Sequence, residues 1–200
     1  GRPIVSDIGS MTYNISQYIE FKLNSLIKHL PYVIRDSKDF IEKIQNINIT
    51  NKLLVTADVE SLYTNMLNDR CISTIVYYLH KHNSFDRQNI LIIDLLRQSF
   101  QTNDFTFNEK YYLQISGIAM GKAYSPTLAN LYLDCLDQIA ATYPGVSFYG
   151  RYIDDIFLIF ENDLQELSKL QDKLNSLIPR IKLTFEHSQQ SINFLDTTIF

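Results

Sequence analysis

The stretch FYGRYIDDIFLIF, Phe148–Phe160, sets a bare pair of carboxylates, Asp154 and Asp155, between two aromatic-rich apolar runs. Large apolar residues alternate on either side of the pair, which predicts two short strands joined by a tight hairpin with the acids at its tip. Aspartate tolerates turn geometry, so on this stretch alone the acids read equally as solvated turn residues or as part of a metal site. A third carboxylate on another strand would separate the two readings. LLVTADVESLY, Leu53–Tyr63, supplies it: Asp58 closes a run rich in Leu and β-branched residues.

Working outward, Lys52–Asp58 is nearly continuous in apolar character, as befits a central strand covered on at least one face. Upstream, Ile15, Tyr18, Ile19, Leu23, Leu26, Ile27 and Leu30 follow helical spacing from Thr12 to Leu30, and Pro31 stops the run. A short helix from Asp36 or Ser37 carries Phe40, Ile41, Ile44 and Ile47. Downstream, Asn68–His82 reads as a helix, and Asp86 as the cap of another that runs to about Phe100. Phe105–Leu113 alternates about Asn108-Glu109 as a hairpin. The loop Gly117-Ile-Ala-Met-Gly121 is followed by Ser125-Pro126, a serine N-cap with proline at the first helical position. That helix is predicted to bury Leu128, Leu131, Tyr132, Cys135, Leu136 and Ile139. Asp163 begins a last helix with a stripe of Leu167, Leu170, Leu174 and Leu177, closed by Pro179. Ile181–Glu186 and Ile192–Phe200 read as strands. The pattern is an α+β domain, an antiparallel sheet backed by helices.

Two hundred residues at 46% hydrophobic and 20% charged suit one soluble domain. No apolar run reaches the length a bilayer crossing needs, so no membrane partner is expected. Gly1 at one end and Phe200 within an apolar run at the other read as the limits of a segment of a longer protein. Cys71 and Cys135 stand apart without a CxxC and read as small buried hydrophobes in a reducing compartment. His80 and His82 read as a charged helix end. The net charge of −4 is awkward for a nucleic-acid partner, yet clustered acids at a metal site would contribute to it.

Three carboxylates brought together repel one another and need cations to persist at neutral pH. Hard oxygen donors without His or Cys favour Mg²⁺ over zinc. Two Mg²⁺ about 3.5–4 Å apart can stabilise both the attacking and leaving oxygens of an in-line phosphoryl displacement.

These motifs resemble those of reverse transcriptases, and most closely the Penelope-like retroelement family. TADVESLYTNM resembles the first catalytic motif, GIAMGKAYSPTLANLYLD the second, and RYIDDIF the Tyr-x-Asp-Asp hairpin. Arg2-Pro-Ile resembles the fingers motif ahead of them, and INFLDTTI the late Phe-Leu-Asp strand. The likeness runs almost end to end with motif order and spacing kept. Ala119-Met120-Gly121 stands where many reverse transcriptases have Pro-Gln-Gly, and Ala-Met-Gly is familiar in Penelope-like sequences.

The resemblance implies a right-hand polymerase palm with partial fingers: fingers over about residues 1–51, palm with a finger-side insertion over about 52–200, the thumb absent from the chain. It implies an RNA-directed DNA polymerase that extends a DNA primer on an RNA template with dNTPs, using two Mg²⁺, with Mn²⁺ as a substitute. Asp58, Asp154 and Asp155 would be the metal-binding catalytic triad, Asp155 the least direct ligand, with the Val59 carbonyl completing the nucleotide-side metal. Tyr63 would exclude ribonucleotides by clash with the 2′-hydroxyl, and Arg2 would reach the triphosphate. Gly121 and Gly117 would let backbone approach the nucleotide and template closely. Tyr152 would either pack in the sheet or touch the primer end. Lys182 would either protonate pyrophosphate or be a solvated strand lysine. Missing fingers, thumb and an endonuclease domain would lie outside the chain, and the family points to the nucleus. Two alternatives stand beside this reading: a domesticated, non-catalytic descendant that binds nucleic acid or protein, and an RNA-dependent RNA polymerase palm.

Overall fold

The apolar run around Leu53 becomes one of the two inner strands of the main sheet, with neighbours on both sides. The computed structural model describes residues 6–82, 87–161 and 163–200. In chain order it contains α1 (Tyr13–Ile27), α2 (Ser37–Ile44), β1 (Leu53–Val59), α3 (Leu62–Asn65), α4 (Asn68–Lys81) and α5 (Arg87–Gln101). There follow β2 (Asp104–Phe107), β3 (Lys110–Leu113), α6 (Ser125–Ala141), β4 (Val146–Tyr152), β5 (Asp155–Phe160), α7 (Leu164–Leu177), β6 (Leu183–Ser188), β7 (Ile192–Phe194) and β8 (Thr197–Ile199). Among the described residues no helix is long and apolar enough to cross a membrane.

These elements pack as two compact units, each assembled from two stretches of chain. One holds the described residues up to Leu30 together with Ser61–Tyr132; the other holds Pro31–Glu60 and Leu133–Phe200.

The second unit contains the main sheet, ordered β4-β5-β1-β6 and antiparallel throughout. Register decides what each face carries, because directly opposed residues share a face and successive residues alternate. Leu53, Val55 and Ala57 of β1 lie opposite Phe160, Leu158 and Ile156 of β5, all buried on one face. The other face carries Leu54 opposite Ile159, Thr56 opposite Phe157, and Asp58 opposite Asp155. At its apolar end this second face is covered by Phe40 of α2 and by Phe194 and Ile199 of the β7–β8 hairpin. The rings of Phe40 and Phe157 meet edge to face at 5.0 Å. Its other end, where Asp58 and Asp155 stand exposed, is left open by the described residues.

Local signals explain the helices of this unit. Asp36 caps α2 by accepting from the Asp39 amide, and Asp163 caps α7 by accepting from the Glu166 amide. Leu167, Leu170 and Leu174 are buried along α7, as the stripe predicts. Ile192–Phe200, predicted as continuous strand, is instead two short strands paired with each other. The break falls at Leu195, whose φ of 51° no extended strand can accommodate.

In the first unit α5 packs on both α1 and α4. β2 and β3 form the expected hairpin about Asn108-Glu109, both of which take positive φ. Asp86, the proposed cap of α5, lies outside the described residues. Three expectations are corrected here. Cys71 is buried and burial pushes its thiol pKa far up, but Cys135 is exposed on α6. Ser125 is the first residue of α6 and not its cap: its hydroxyl donates back to the Ala119 carbonyl at 2.6 Å. His80 and Lys81 stand in the last turn of α4 as the expected basic helix end, but His82 after them is not simply a solvated part of it: its ring stacks on His29 at 3.7 Å. Burial, then His29 and Lys81, lowers its pKa.

Candidate active site: an acid turn on the open end of the sheet

Two residues, Ile153 and Asp154, link the paired positions Tyr152 and Asp155 at the end of the β4–β5 hairpin. Turns this tight need positive φ at their first central residue, a place that favours glycine. Here it is Ile153, with φ of 55°, an outlying conformation for a β-branched side chain. Such a residue persists only where its surroundings hold it, and two contacts do so. The Asp154 carbonyl accepts from the Val59 amide at 3.1 Å, tying the turn to the end of β1. The Ile153 carbonyl accepts from Arg151 Nη1 at 2.8 Å.

The register places Asp58 directly across from Asp155, so both carboxylates emerge on the same face. They border a pocket of about 200 Å³ that Thr56, Thr184, Glu186 and Asn193 also line. Asp155 is exposed on its outer side, yet the protein around it removes enough water to raise its pKa. Asp154 and then Asp58 add to that rise by like-charge repulsion. Neighbours along an extended chain present opposite sides, so the shared face goes to Asp155, and Asp154 stands in the turn beside it.

Among the described residues no group of three His, Cys, Asp or Glu side chains is arranged to hold a metal ion. What the site offers is a facing carboxylate pair with a third acid next in sequence. Every donor is a hard oxygen, and the repulsion that raises the Asp155 pKa would be relieved by a cation. That donor set fits Mg²⁺.

The remaining sequence-derived positions are distributed as follows. Val59 is buried at the end of β1, with its amide committed to Asp154. Tyr152 is half-buried and packs on the apolar cluster of the sheet. Lys182 turns its ammonium to the Asn175 carbonyl on α7 at 3.1 Å and does not line the acid pocket. Arg2 lies outside the described residues. In the other unit, Tyr63 sits on α3, and its carbonyl accepts from the Ile118 amide at 2.7 Å. Gly117 has φ of 78°, and a Cβ there would come within 2.7 Å of the Tyr63 carbonyl and the Thr64 Cα. Close packing on α3 therefore requires this glycine. Gly121 stands in the same loop, next to Lys122.

Two buried ionic groups escaped the sequence reading. Lys122 donates to Asp7 at 2.7 Å, and Lys122 also bonds Thr12. Burial alone would raise the Asp7 carboxyl, but bonds from Lys122, Ser10 and Ser16 bring it below the usual range. In the sheet unit, Arg151 is fully buried against Asp137 of α6. Each of these acids lies far in sequence from its cation, and no local pattern announces the pairing.

Residues 3–195 match the reverse transcriptase (RNA-dependent DNA polymerase) family, and the match takes in Asp58, Tyr63, the glycine loop and the acid turn together. The chain belongs to that family. None of the curated proteins matches this reverse transcriptase domain significantly. Among solved structures it is similar to apo telomerase from Candida tropicalis truncated from its C-terminal domain. That pair is 13% identical with a TM-score of 0.68, covering 96% of this chain and 44% of the other. Telomerase from Candida albicans, solved with the TWJ fragment of telomeric RNA, gives 13% identity and a TM-score of 0.67, with 90% and 36% covered. The RNA polymerase of a dsRNA virus, solved in situ, gives 12% and 0.70, with 94% and 19% covered. At these identities the likeness establishes the fold, that of polymerase palms: an antiparallel sheet carried by helices. The reverse transcriptase domain spans less than half the length of each of these chains.

Proposed function

We propose that this reverse transcriptase domain is the catalytic core of an RNA-directed DNA polymerase that extends a DNA primer on an RNA template with dNTPs. The observation that carries the reading is the register of β1 on β5, which sets Asp58 against Asp155 beside the strained turn of Asp154. Carboxylates held in mutual repulsion at an open sheet end are a poor stabilising device and a good cation trap.

Asp58, Asp154 and Asp155 would hold the metal ions, with the Val59 carbonyl as a further oxygen donor. Two bound Mg²⁺ would supply Lewis-acid stabilisation of the attacking 3′-hydroxyl and of the departing pyrophosphate. The chain's own part is to fix the carboxylates before substrate arrives: the β1–β5 ladder sets two of them, and the Val59–Asp154 bond ties the turn that carries the third. Tyr63, by its place in the first motif, would act as the sugar gate, and Arg2 as a triphosphate contact. The Lys182 ammonium, bound to Asn175, supports the role of a surface lysine better than that of a proton donor. The Ala119-Met120-Gly121 loop favours a Penelope-like affiliation within the family, and with it a nuclear setting.

Primer extension on an RNA template, with dNTP and rNTP arms, tests the proposal. Mg²⁺-dependent dNTP incorporation that Asp154→Asn abolishes, while duplex binding survives, supports it. Extension by the variant at the wild-type rate would end the catalytic reading; a preference for rNTPs would turn it to an RNA polymerase.

A further inference from the structure

We propose that Arg151 is a positioning residue for the acid turn: from the covered face of the sheet, its guanidinium holds the Ile153 carbonyl and thereby fixes Asp154 and Asp155. The inference rests on the polymerase reading above.

Arg151 is the largest fully buried side chain among the described residues. It lies opposite Ile156 in the β4–β5 ladder, whereas Tyr152 lies opposite Asp155. By alternation its side chain enters the buried face while Asp155 emerges on the other. There Nε and Nη2 grip the two carboxylate oxygens of Asp137 at 2.7 and 2.6 Å. The Tyr149 hydroxyl donates to the same carboxylate at 2.7 Å, and Asp134 on α6 adds negative potential. With both forks of the guanidinium engaged, Nη1 remains to reach Ile153 O at 2.8 Å. The main chain of Arg151 is equally fixed: its amide donates to Tyr32 O at 2.9 Å and its carbonyl accepts from Ile34 N at 2.7 Å.

Stability is a weak reason for such an arrangement, since apolar residues of similar volume often replace a buried ion pair without loss. Geometry is a better one. The carbonyl that Arg151 holds belongs to the one turn residue forced into left-handed backbone. A planar guanidinium can serve Asp137 at two points and Ile153 at a third; a lysine ammonium lacks that fixed fork. The acid turn is thus braced from both sides, by Val59 in front and by Arg151 behind.

The test compares wild type with Arg151→Lys, Arg151→Lys/Ile153→Gly, and the charge-free triple variant Asp137→Leu/Tyr149→Phe/Arg151→Met. Mn²⁺ binding by electron paramagnetic resonance and exchange of the Asp154 and Asp155 amides are read beside primer extension. The inference predicts that the triple variant folds, exchanges these amides at least tenfold faster, and binds Mn²⁺ at least fivefold more weakly. Glycine accepts positive φ freely, so Ile153→Gly should restore most of the Mn²⁺ affinity that Arg151→Lys loses. A folded triple variant with wild-type exchange and affinity overturns the inference. Should the triple variant not fold, the lysine variant decides: unchanged Mn²⁺ affinity, or a loss that Ile153→Gly leaves untouched, overturns it too. The polymerase reading fails differently, in a wild type that neither binds Mn²⁺ nor extends a primer.

Discussion

Asp58 of β1 and Asp155 of β5 face each other as direct cross-strand partners on the open end of the main sheet. Like charges in that relation destabilise a sheet, and the raised pKa of Asp155, from partial burial and then from Asp154 and Asp58, is the mark of it. A fold that keeps this pair has another use for it. The expected outcome follows for Asp58→Asn: Mn²⁺ affinity falls at least tenfold, while the melting temperature holds or rises. Titration followed by electron paramagnetic resonance, with a thermal melt alongside, checks both.

Tyr63 is held by its backbone to the 117–118 loop, so its ring is presented from a fixed helix turn. If it excludes ribonucleotides, Tyr63→Ala should raise the rNTP to dNTP incorporation ratio by about tenfold to a hundredfold, the range one steric contact can deliver. Steady-state incorporation of dCTP against CTP measures it, and an unchanged ratio would remove Tyr63 from the gate.

Gly117 should tolerate no side chain. Gly117→Ala meets a positive φ and the backbone of Tyr63 and Thr64 within 2.8 Å, which cannot yield as a flexible side chain would. A loss of roughly 2–3 kcal/mol in urea denaturation is expected. A loss below about 0.5 kcal/mol would show that the loop packs otherwise.

Much of the sheet unit could be read from sequence because its signals are local. The continuous apolar run ending in Asp58, the alternation about Asp154-Asp155 and the capping Asp163 each state their structure within a few residues. The buried charges could not be read so. Asp137 looks like one exposed position on an amphipathic helix until Arg151, a partner in another element, is placed against it. Cys135 shows the reverse: α6 buries Asp134 and Asp137 and turns the cysteine outward, contrary to its hydropathy. The same limit hid the Lys122–Asp7 pair and the break at Leu195.

Acid should weaken the sheet unit through Asp39. Burial alone would raise this carboxyl, but bonds from Lys43, the Arg35 amide and the Arg35 guanidinium take it from 3.8 to about 2. A depressed folded-state pKa contributes stability that is complete above the unfolded value near 3.8 and is lost as pH falls through about 2. With Arg35 largely in solvent, on the order of 1–2 kcal/mol is at stake. Urea denaturation between pH 6 and about 2 should show wild type losing that margin over Asp39→Asn. Parallel curves would contradict it.

The two thiols should differ in reactivity. Cys135 is exposed and Cys71 is buried with its pKa pushed up, and thiol reagents attack the accessible thiolate. Under native conditions one equivalent should react, at Cys135, and Cys135→Ser should abolish the fast phase.

The most direct test is Mg²⁺-dependent primer extension on an RNA template, comparing wild type with Asp58→Asn and Asp154→Asn. The account predicts dNTP incorporation by wild type and a loss of at least a hundredfold in both variants, with template–primer binding unchanged. Extension by either variant at the wild-type rate would contradict it.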